Sequence, residues 1–451
     1  MKILGQDAEI FIAMWGNIVA WIRTLLNLNS RTNRAILPNE PAIALASPRH
    51  TQDEGQNHHH RYSENTKCVS IARPGGKEQL RVIILKDGVC TVGYNVRHLC
   101  PAPYTPAMSG PDAAAILPSD CVILRNKCFS VNYADCTIRW GLYESAKRFV
   151  GWPIVPGFDV AGFIEAKGSG VTDVNVGDTV FGCTLFGAYS SRVLVPARQV
   201  RRVPDDSSLS LAQASALPTV SLTALYALQL AGFWPEPAKY RNKSILIHSA
   251  AGGVGSMLVQ MAKILKLGPI VGVVGQTSKV AAAKALGCDT VIDKSKQDLW
   301  AAAEDANTAN DGLYAAIMDA NGVSTLKQSY DHLAPTGRLI VYGFHTNLPT
   351  GEMLLSPLEW LRMGKKMLSM PKFDPMELTV DNKAVMGFNL SFFADEEEVV
   401  NALFDQICDW LKDNMLRCPN VVVMNMLEVA RAHEFIQSGT SIGKIVLQTD
   451  A

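Results

Sequence analysis

The stretch "HSAAGGVGSM", residues 248–257, lies between the apolar run "SILI" (244–247) and "LVQMAKIL" (258–265), whose apolar positions repeat at helical spacing. A cluster of small residues at a strand-to-helix junction has a specific use. Ala250, Gly252 and Gly255 occupy the three small-residue positions of the dinucleotide fingerprint. The first turns the chain tightly, the second lets the backbone approach a pyrophosphate, and the third lets the helix pack closely on the strand. Together with Ala251, Gly253 and Val254 they form the turn expected to hold the pyrophosphate at the positive end of the helix. Alone, such a pattern marks only a tight turn. Its place between a strand and a helix, at the head of a sustained alternation of the two, makes it a cofactor signal.

Downstream, strand-like and helix-like segments alternate: "SILIHSA", a helix, "IVGVVG", the helix "KVAAAKALG", "TVID", a helix ending near Asp305, "AAIMDA", the helix "STLKQSYDHL" and "RLIVYG". That alternation predicts an α/β, doubly wound parallel sheet. Upstream, "LSLAQASALPTVSLTALYALQLAG" reads as one long helix, and from about Glu78 to Pro204 short β-type runs cut by Gly and Pro predict an antiparallel, barrel-like unit. The last hundred residues add the amphipathic helix "EEEVVNALFDQICDWLKDN" and a terminal strand "GKIVLQ".

The end of the second strand of the alternation selects the dinucleotide. An NAD site places an acid there for the ribose hydroxyls. This chain has "VVGQTSKV", with Gly275, Ser278 and Lys279 and no carboxylate, a set that hydrogen-bonds and neutralises a 2′-phosphate. NADPH is therefore the expected cofactor.

Composition narrows the remaining classes. The 451 residues carry 42 Lys plus Arg and 42 Asp plus Glu, so no net field draws the chain to nucleic acid, and no basic stripe interleaved with aromatics is present. The ten cysteines include no CxxC pair, which argues for free thiols in a reducing compartment and against a structural zinc site. The N-terminus stands apart. Ile10 to Ile22 is uncharged, but Asn17 interrupts it and Arg23 comes next, short of the ~20 apolar residues of a membrane span. Residues 10–28 read as a membrane anchor, an organelle-targeting peptide, an interfacial helix or a segment packed on the body, with Asp7 and Glu9 counting against an ordinary transit peptide, so a cytoplasmic and a membrane-associated location both stand. The rest of 1–77 is polar and linker-like; "HHH" at 58–60 is read there as solvated histidine rather than a metal site.

In order, "VNYADCTIRWGLY", "PGFDVAGFIEAKGSGV", "VGDTVFG", "GAYSSRVLV" and "SAAGGVG" resemble the quinone oxidoreductase branch of the medium-chain dehydrogenase/reductases. "RLIVYGFHTNLPTG" and "NKAVMGFNLSFF" look most like its vesicle amine transport protein homologs, and the resemblance spans about 79–449. It implies a Rossmann domain at 223–344 and a GroES-like β-barrel catalytic domain built from 78–222 and 345–451. The zinc-binding members carry Cys and Gly-His-Glu where this chain has Asn132, Phe158 and Asp159, so the resemblance implies no catalytic metal.

The resemblance further places Asn132 and Tyr143 beside the nicotinamide, with Tyr143 as candidate acid, Thr223 near the nicotinamide ribose, and Tyr342, Gly343 and Phe344 passing over the ring. It implies a homodimer and hydride transfer to a quinone or an α,β-unsaturated carbonyl. Two alternatives remain at this point: an enoyl-thioester reductase of lipid or polyketide chains, and a membrane-associated NADPH-binding adaptor with little catalysis.

Overall fold

The computed structural model describes residues 66–85, 117–204, 208–236, 242–345, 357–393 and 396–449. The apolar run at 10–28, the triple histidine and most of the proline-rich stretch around 100–120 lie outside the described residues. A two-stranded antiparallel ladder joins β1 (Thr66–Ile71) to β2 (Leu80–Leu85). Five strands come next: β3 (Cys121–Val131), β4 (Asp159–Lys167), β5 (Thr179–Cys183), β6 (Arg192–Pro196) and β7 (Val200–Arg202). They precede β8 (Ile245–Ile247), β9 (Ile270–Val274), β10 (Thr290–Asp293), β11 (Tyr314–Asp319), β12 (Leu333–Val341) and β13 (Ala384–Gly387), then β14 (Val421–Asn425) and β15 (Lys444–Gln448).

These make two larger sheets. One is six-stranded in the order β10-β9-β8-β11-β12-β13 with every pairing parallel. Order reverses at β8, which is where a doubly wound sheet opens its ligand crevice. The other has seven strands, in the order β14-β15-β3-β4-β5-β7 with β6 added on β3, and all its pairings except β14–β15 are antiparallel.

The sequences of the strands explain these choices. β8 and β9 are continuous apolar runs, buried throughout, as strands covered on both faces must be. One face packs Leu225, Leu258, Met261 and Phe404 from three helices; the other packs Leu246, Ile292, Tyr314, Leu326 and Leu339. The antiparallel sheet closes on its own core of Phe129, Val160, Tyr189, Val193 and Leu447.

Three details differ from the sequence expectation. Residues 66–71, read as part of the polar linker, form β1, with Cys68, Val69 and Ile71 fully buried, because the alternating apolar side chains of Val69 and Ile71 pack into the core of the antiparallel unit. The single long helix expected around Pro218 is two, Leu211–Ser215 and Pro218–Leu230. Pro218 has no N–H to continue a helix and is suited to opening one, which is where it stands. The parallel sheet also takes its sixth strand, β13, from residues 384–387, after helices Pro357–Leu368 and Pro375–Asp381.

The two sheets meet at the glycine-rich turn. Gly443, just ahead of β15, donates its N–H to Ala251 O at 3.0 Å and bridges Gly252. The start of β15 and the end of β3 are thereby brought to the carboxyl ends of the parallel strands.

Candidate active site

The turn after β8 is built as a cradle. Gly252 caps the helix Gly253–Ile264 in extended conformation, and a helix of this length leaves its first N–H groups without intrahelical partners. A Cβ on Gly255 would lie 2.2 Å from Ser249 O and 2.8 Å from Ala250 Cα, so glycine is required for the helix to sit on the strand. A Cβ on Gly252 would meet only Ser249 O, at 3.2 Å, and otherwise open space. Ala250 and Ala251 are buried, while Gly252, Gly253 and Val254 are partly exposed. The packing residues are inside and the approach residues face outward, as a pyrophosphate cradle needs.

Beyond β9, Gly275 and Ser278 are exposed and Lys279 is half-buried. Partial burial pushes the Lys279 ammonium below its ordinary value. Lys294, to which no sequence signal points, approaches the same turn: its Cε is 3.7 Å from where a Gly275 Cβ would be. A carboxylate does enter the region, from the next strand. Asp293 accepts from the Thr277 hydroxyl at 2.5 Å and from the Ser295 hydroxyl at 2.6 Å, and these bonds hold it below the usual carboxylate range.

At the end of β3 the chain turns through Asn132 into the helix Tyr133–Arg139. The Asn132 side chain is almost buried. Its Nδ2 donates to Asp159 Oδ2 at 2.7 Å, and its Oδ1 accepts from Lys444 Nζ at 2.6 Å. Asp159 also accepts from the Ser130 hydroxyl and, at 2.7 Å, from the Thr219 N–H that opens the helix Pro218–Leu230. Burial lowers the Lys444 ammonium from its ordinary value, opposed by the Asp159 carboxylate. Phe158, beside Asp159, is buried among Phe186 and the Tyr143 ring.

Behind Asn132 runs a chain of buried polar groups. Asp135 Oδ2 accepts from the Asn132 N–H at 2.8 Å and from Tyr189 OH at 3.0 Å. Tyr189 OH lies 3.2 Å from His433 Nε2, and His433 Nδ1 lies 3.6 Å from Cys136 Sγ. With the tyrosine proton given to Asp135, His433 donates from Nε2 and accepts the thiol proton at Nδ1. Burial pushes the Asp135 carboxyl up to about 7, His433 down to about 3 and the Cys136 thiol up to about 12.

The other expected site residues are placed as follows. Tyr342 and Gly343 continue from β12, with the Tyr342 N–H bonded to Asp319 O at 3.0 Å, and Phe344 is 45% exposed. Thr223 is buried on its helix, and its hydroxyl donates to Thr219 O at 2.7 Å, the local bond a helical threonine makes. Tyr143 is engaged elsewhere. Its hydroxyl lies 3.2 Å from Asn389 Oδ1 and 3.2 Å from Ser391 Oγ, in the turn after β13, and burial raises its pKa.

Comparison with known proteins agrees with this geometry. Residues 118–205 match the family model described as an alcohol dehydrogenase GroES-like domain, and 253–405 match that described as zinc-binding dehydrogenase. A 2-haloacrylate reductase from Burkholderia sp is 30% identical over 332 residues, covering 73% of this chain and 91% of the relative. The synaptic vesicle membrane protein VAT-1 homolog of Danio rerio is 28% identical over 334 residues, 74% of this chain; the match spans 65% of that relative's length. The solved quinone oxidoreductase of Escherichia coli, complexed with NADPH, superposes with a TM-score of 0.65 at 22% identity over 85% of this chain and 100% of its own.

The chain belongs to the medium-chain dehydrogenase/reductases, and is an oxidoreductase by family. Its fold pairs a doubly wound parallel sheet with a GroES-like unit. Within the superfamily it stands in the zinc-independent quinone oxidoreductase branch, near the VAT-1 homologues. The charge facing Asp159 and Asn132 is the Lys444 ammonium. Among the described residues no group of three or more His, Cys, Asp or Glu is arranged to hold a metal ion.

Proposed function

We propose that this chain is an NADPH-dependent reductase of quinones or α,β-unsaturated carbonyls. The observation that carries the reading is the pairing of an open glycine cradle at Gly252–Gly255 with a polar centre at Asn132, on the same edge of the parallel sheet. When bound, the dinucleotide supplies the hydride. Gly252, Gly253 and Val254 would hold its pyrophosphate, and Ser278, Lys279 and Lys294 its 2′-phosphate. Asp293 keeps its charge, but its oxygens are already engaged by Thr277 and Ser295 rather than presented to ribose hydroxyls as an NAD-selecting acid would present them.

Asn132 is the residue that acts on the acceptor. One Nδ2 proton goes to Asp159; the second is available to an acceptor oxygen as negative charge develops there. Thr223 and Tyr342 to Phe344 contribute walls around the ring. Tyr143 is better read as an anchor than as the acid, because its hydroxyl is committed to Asn389 and Ser391 and burial makes it a poorer proton source. Reductase activity also fits the Burkholderia relative, which is named for reduction of an activated double bond.

Self-association is part of the proposal. Leu361, Leu368, Met376 and Val380 are 71–81% exposed on the helices that precede the edge strand β13, an apolar surface suited to a second copy. Membrane association draws support only from the name of the VAT-1 relative; no helix among the described residues is long and apolar enough to cross a membrane.

The test is NADPH oxidation by the full chain, followed by absorbance, against a panel of quinones and of short and long enones, with NADH in parallel. Turnover with NADPH preferred is expected. Binding of NADPH by titration with no acceptor reduced would replace this reading with that of a cofactor-binding adaptor.

A further inference from the structure

The Lys444 side chain is 4% exposed. Its strand begins after Gly443, whose φ is +73° and whose Cβ would lie 2.1 Å from Asn420 O, so the backbone is held tightly where the lysine departs. The side chain then crosses Gly253, with Cδ 3.0 Å from where a Cβ there would be. Nζ finishes 3.1 Å from Val131 O, 2.6 Å from Asn132 Oδ1 and 3.6 Å from Asp159 Oδ2.

An ammonium only donates and a carboxylate only accepts. Placed on opposite ends of one carboxamide, they leave Asn132 a single orientation: oxygen toward Lys444, nitrogen toward Asp159. A carboxamide lacking either partner can turn over and present its oxygen where its N–H had been.

We propose that Lys444 is the positioning residue of this reductase, holding the Asn132 carboxamide so that its second N–H faces the acceptor oxygen. The inference rests on the reductase reading above. Lys444 does not reach the acceptor itself; it acts through Asn132, 312 positions away in sequence. Its charge also strengthens Asn132 as a donor, since a carboxamide whose oxygen binds a cation has more acidic N–H groups.

A purely structural ion pair makes a different prediction, and a double variant separates the two. Lys444→Met leaves Asp159 buried without its cation; Lys444→Met with Asp159→Asn removes both charges, a replacement folds often tolerate. The proposal expects the double variant to recover the wild-type melting temperature and NADPH affinity within about threefold while kcat stays at least about 100-fold down, the scale of losing one oxyanion donor. Lys444→Arg, which keeps a charged donor, is expected to recover part of kcat. Recovery of kcat with stability in the double variant would overturn the proposal and leave the pair structural. A loss of NADPH affinity at unchanged kcat would overturn it in favour of a cofactor contact.

A second readout does not depend on turnover. In full-length protein labelled with 15N-asparagine, the Asn132 NH2 signals, assigned with Asn132→Ser, should exchange with solvent at least about tenfold faster in Lys444→Met. Equal exchange would show that Lys444 does not hold the amide. If the wild type reduces no acceptor, the reductase reading fails, and this exchange result alone decides whether the lysine positions Asn132.

Discussion

Two glycines at the start of one helix, Gly252 and Gly255, should fail in different ways when substituted. Gly255→Ala places a methyl carbon 2.2 Å from Ser249 O and 2.8 Å from Ala250 Cα, both backbone atoms. Ordinary contacts of this kind begin above 3 Å, so the helix Gly253–Ile264 must lift from β8 by most of an ångström. Overpacking of that kind costs about 1–3 kcal/mol. In a chain larger than 250 residues each kcal/mol moves Tm by roughly 2 °C or less, so a drop of up to about 2–6 °C is expected. Gly252→Ala meets only one atom, at 3.2 Å, and its backbone is extended, so Tm should stay within about 1 °C. Its methyl group instead points into the open space where the proposal puts the pyrophosphate. Loss of backbone approach there is expected to weaken NADPH binding about 10- to 100-fold, which is about 1.4–2.8 kcal/mol. The assay is thermal unfolding with and without NADPH, combined with NADPH titration by fluorescence. If Gly252→Ala binds NADPH as the wild type does, the cradle does not hold the pyrophosphate and its assignment is wrong.

Three further outcomes are expected. Tyr143→Phe should lower kcat less than about fivefold while reducing stability by about 1–2 kcal/mol through the lost bonds to Asn389 and Ser391; a fall of about 100-fold or more in kcat would restore the tyrosine as general acid. Replacing Lys279 and Lys294 together by Ala should erase most of the preference for NADPH over NADH, read as the ratio of kcat/KM values, with kcat for NADH little changed. His433, held at about 3 by burial against an ordinary value of 6.5, contributes stability that is present above pH 6.5 and is lost as pH falls toward 3. His433→Gln should therefore be less stable than the wild type at pH 7 and lose less on acidification from 6.5 to 4, by up to about 1.4 kcal/mol per pH unit in urea midpoints. Asp135, raised to about 7, works in the opposite sense, its contribution lost as pH rises, so the comparison of wild type with variant is the informative one.

The glycine-rich turn after β8 is legible in the sequence because its constraints are local: a strand, a tight turn and a helix start are adjacent, and Gly255, which close packing demands, is the glycine seen there. The break at Pro218 is legible in principle, since proline opens helices far more readily than it continues them. What escapes is the long-range half of the site. Resemblance places Asn132, but the groups that orient it come from β4 and from the last strand of the chain. The one local sign of Lys444 is a lysine opening the otherwise apolar "KIVL", a charge in a strand destined for the core. The partners of Tyr143, Asn389 and Ser391, lie more than two hundred residues downstream, beyond any spacing rule. Asp293 is invisible for a related reason: parallel pairing of β10 with β9 brings its carboxylate beside Thr277 from a different strand.

Reduction of an activated carbonyl compound by hydride from NADPH, at the Asn132 centre, can be followed atom by atom through isotope transfer. The full chain is incubated with NADPH carrying deuterium at C4 of the dihydronicotinamide and with the enone it turns over best, and the product is analysed by mass spectrometry and NMR. One deuterium is expected on the β-carbon of the saturated ketone, from a single face of the nicotinamide, with loss of that product in Asn132→Ser. Absence of deuterium from any product, with NADPH still bound, would contradict hydride transfer at this site.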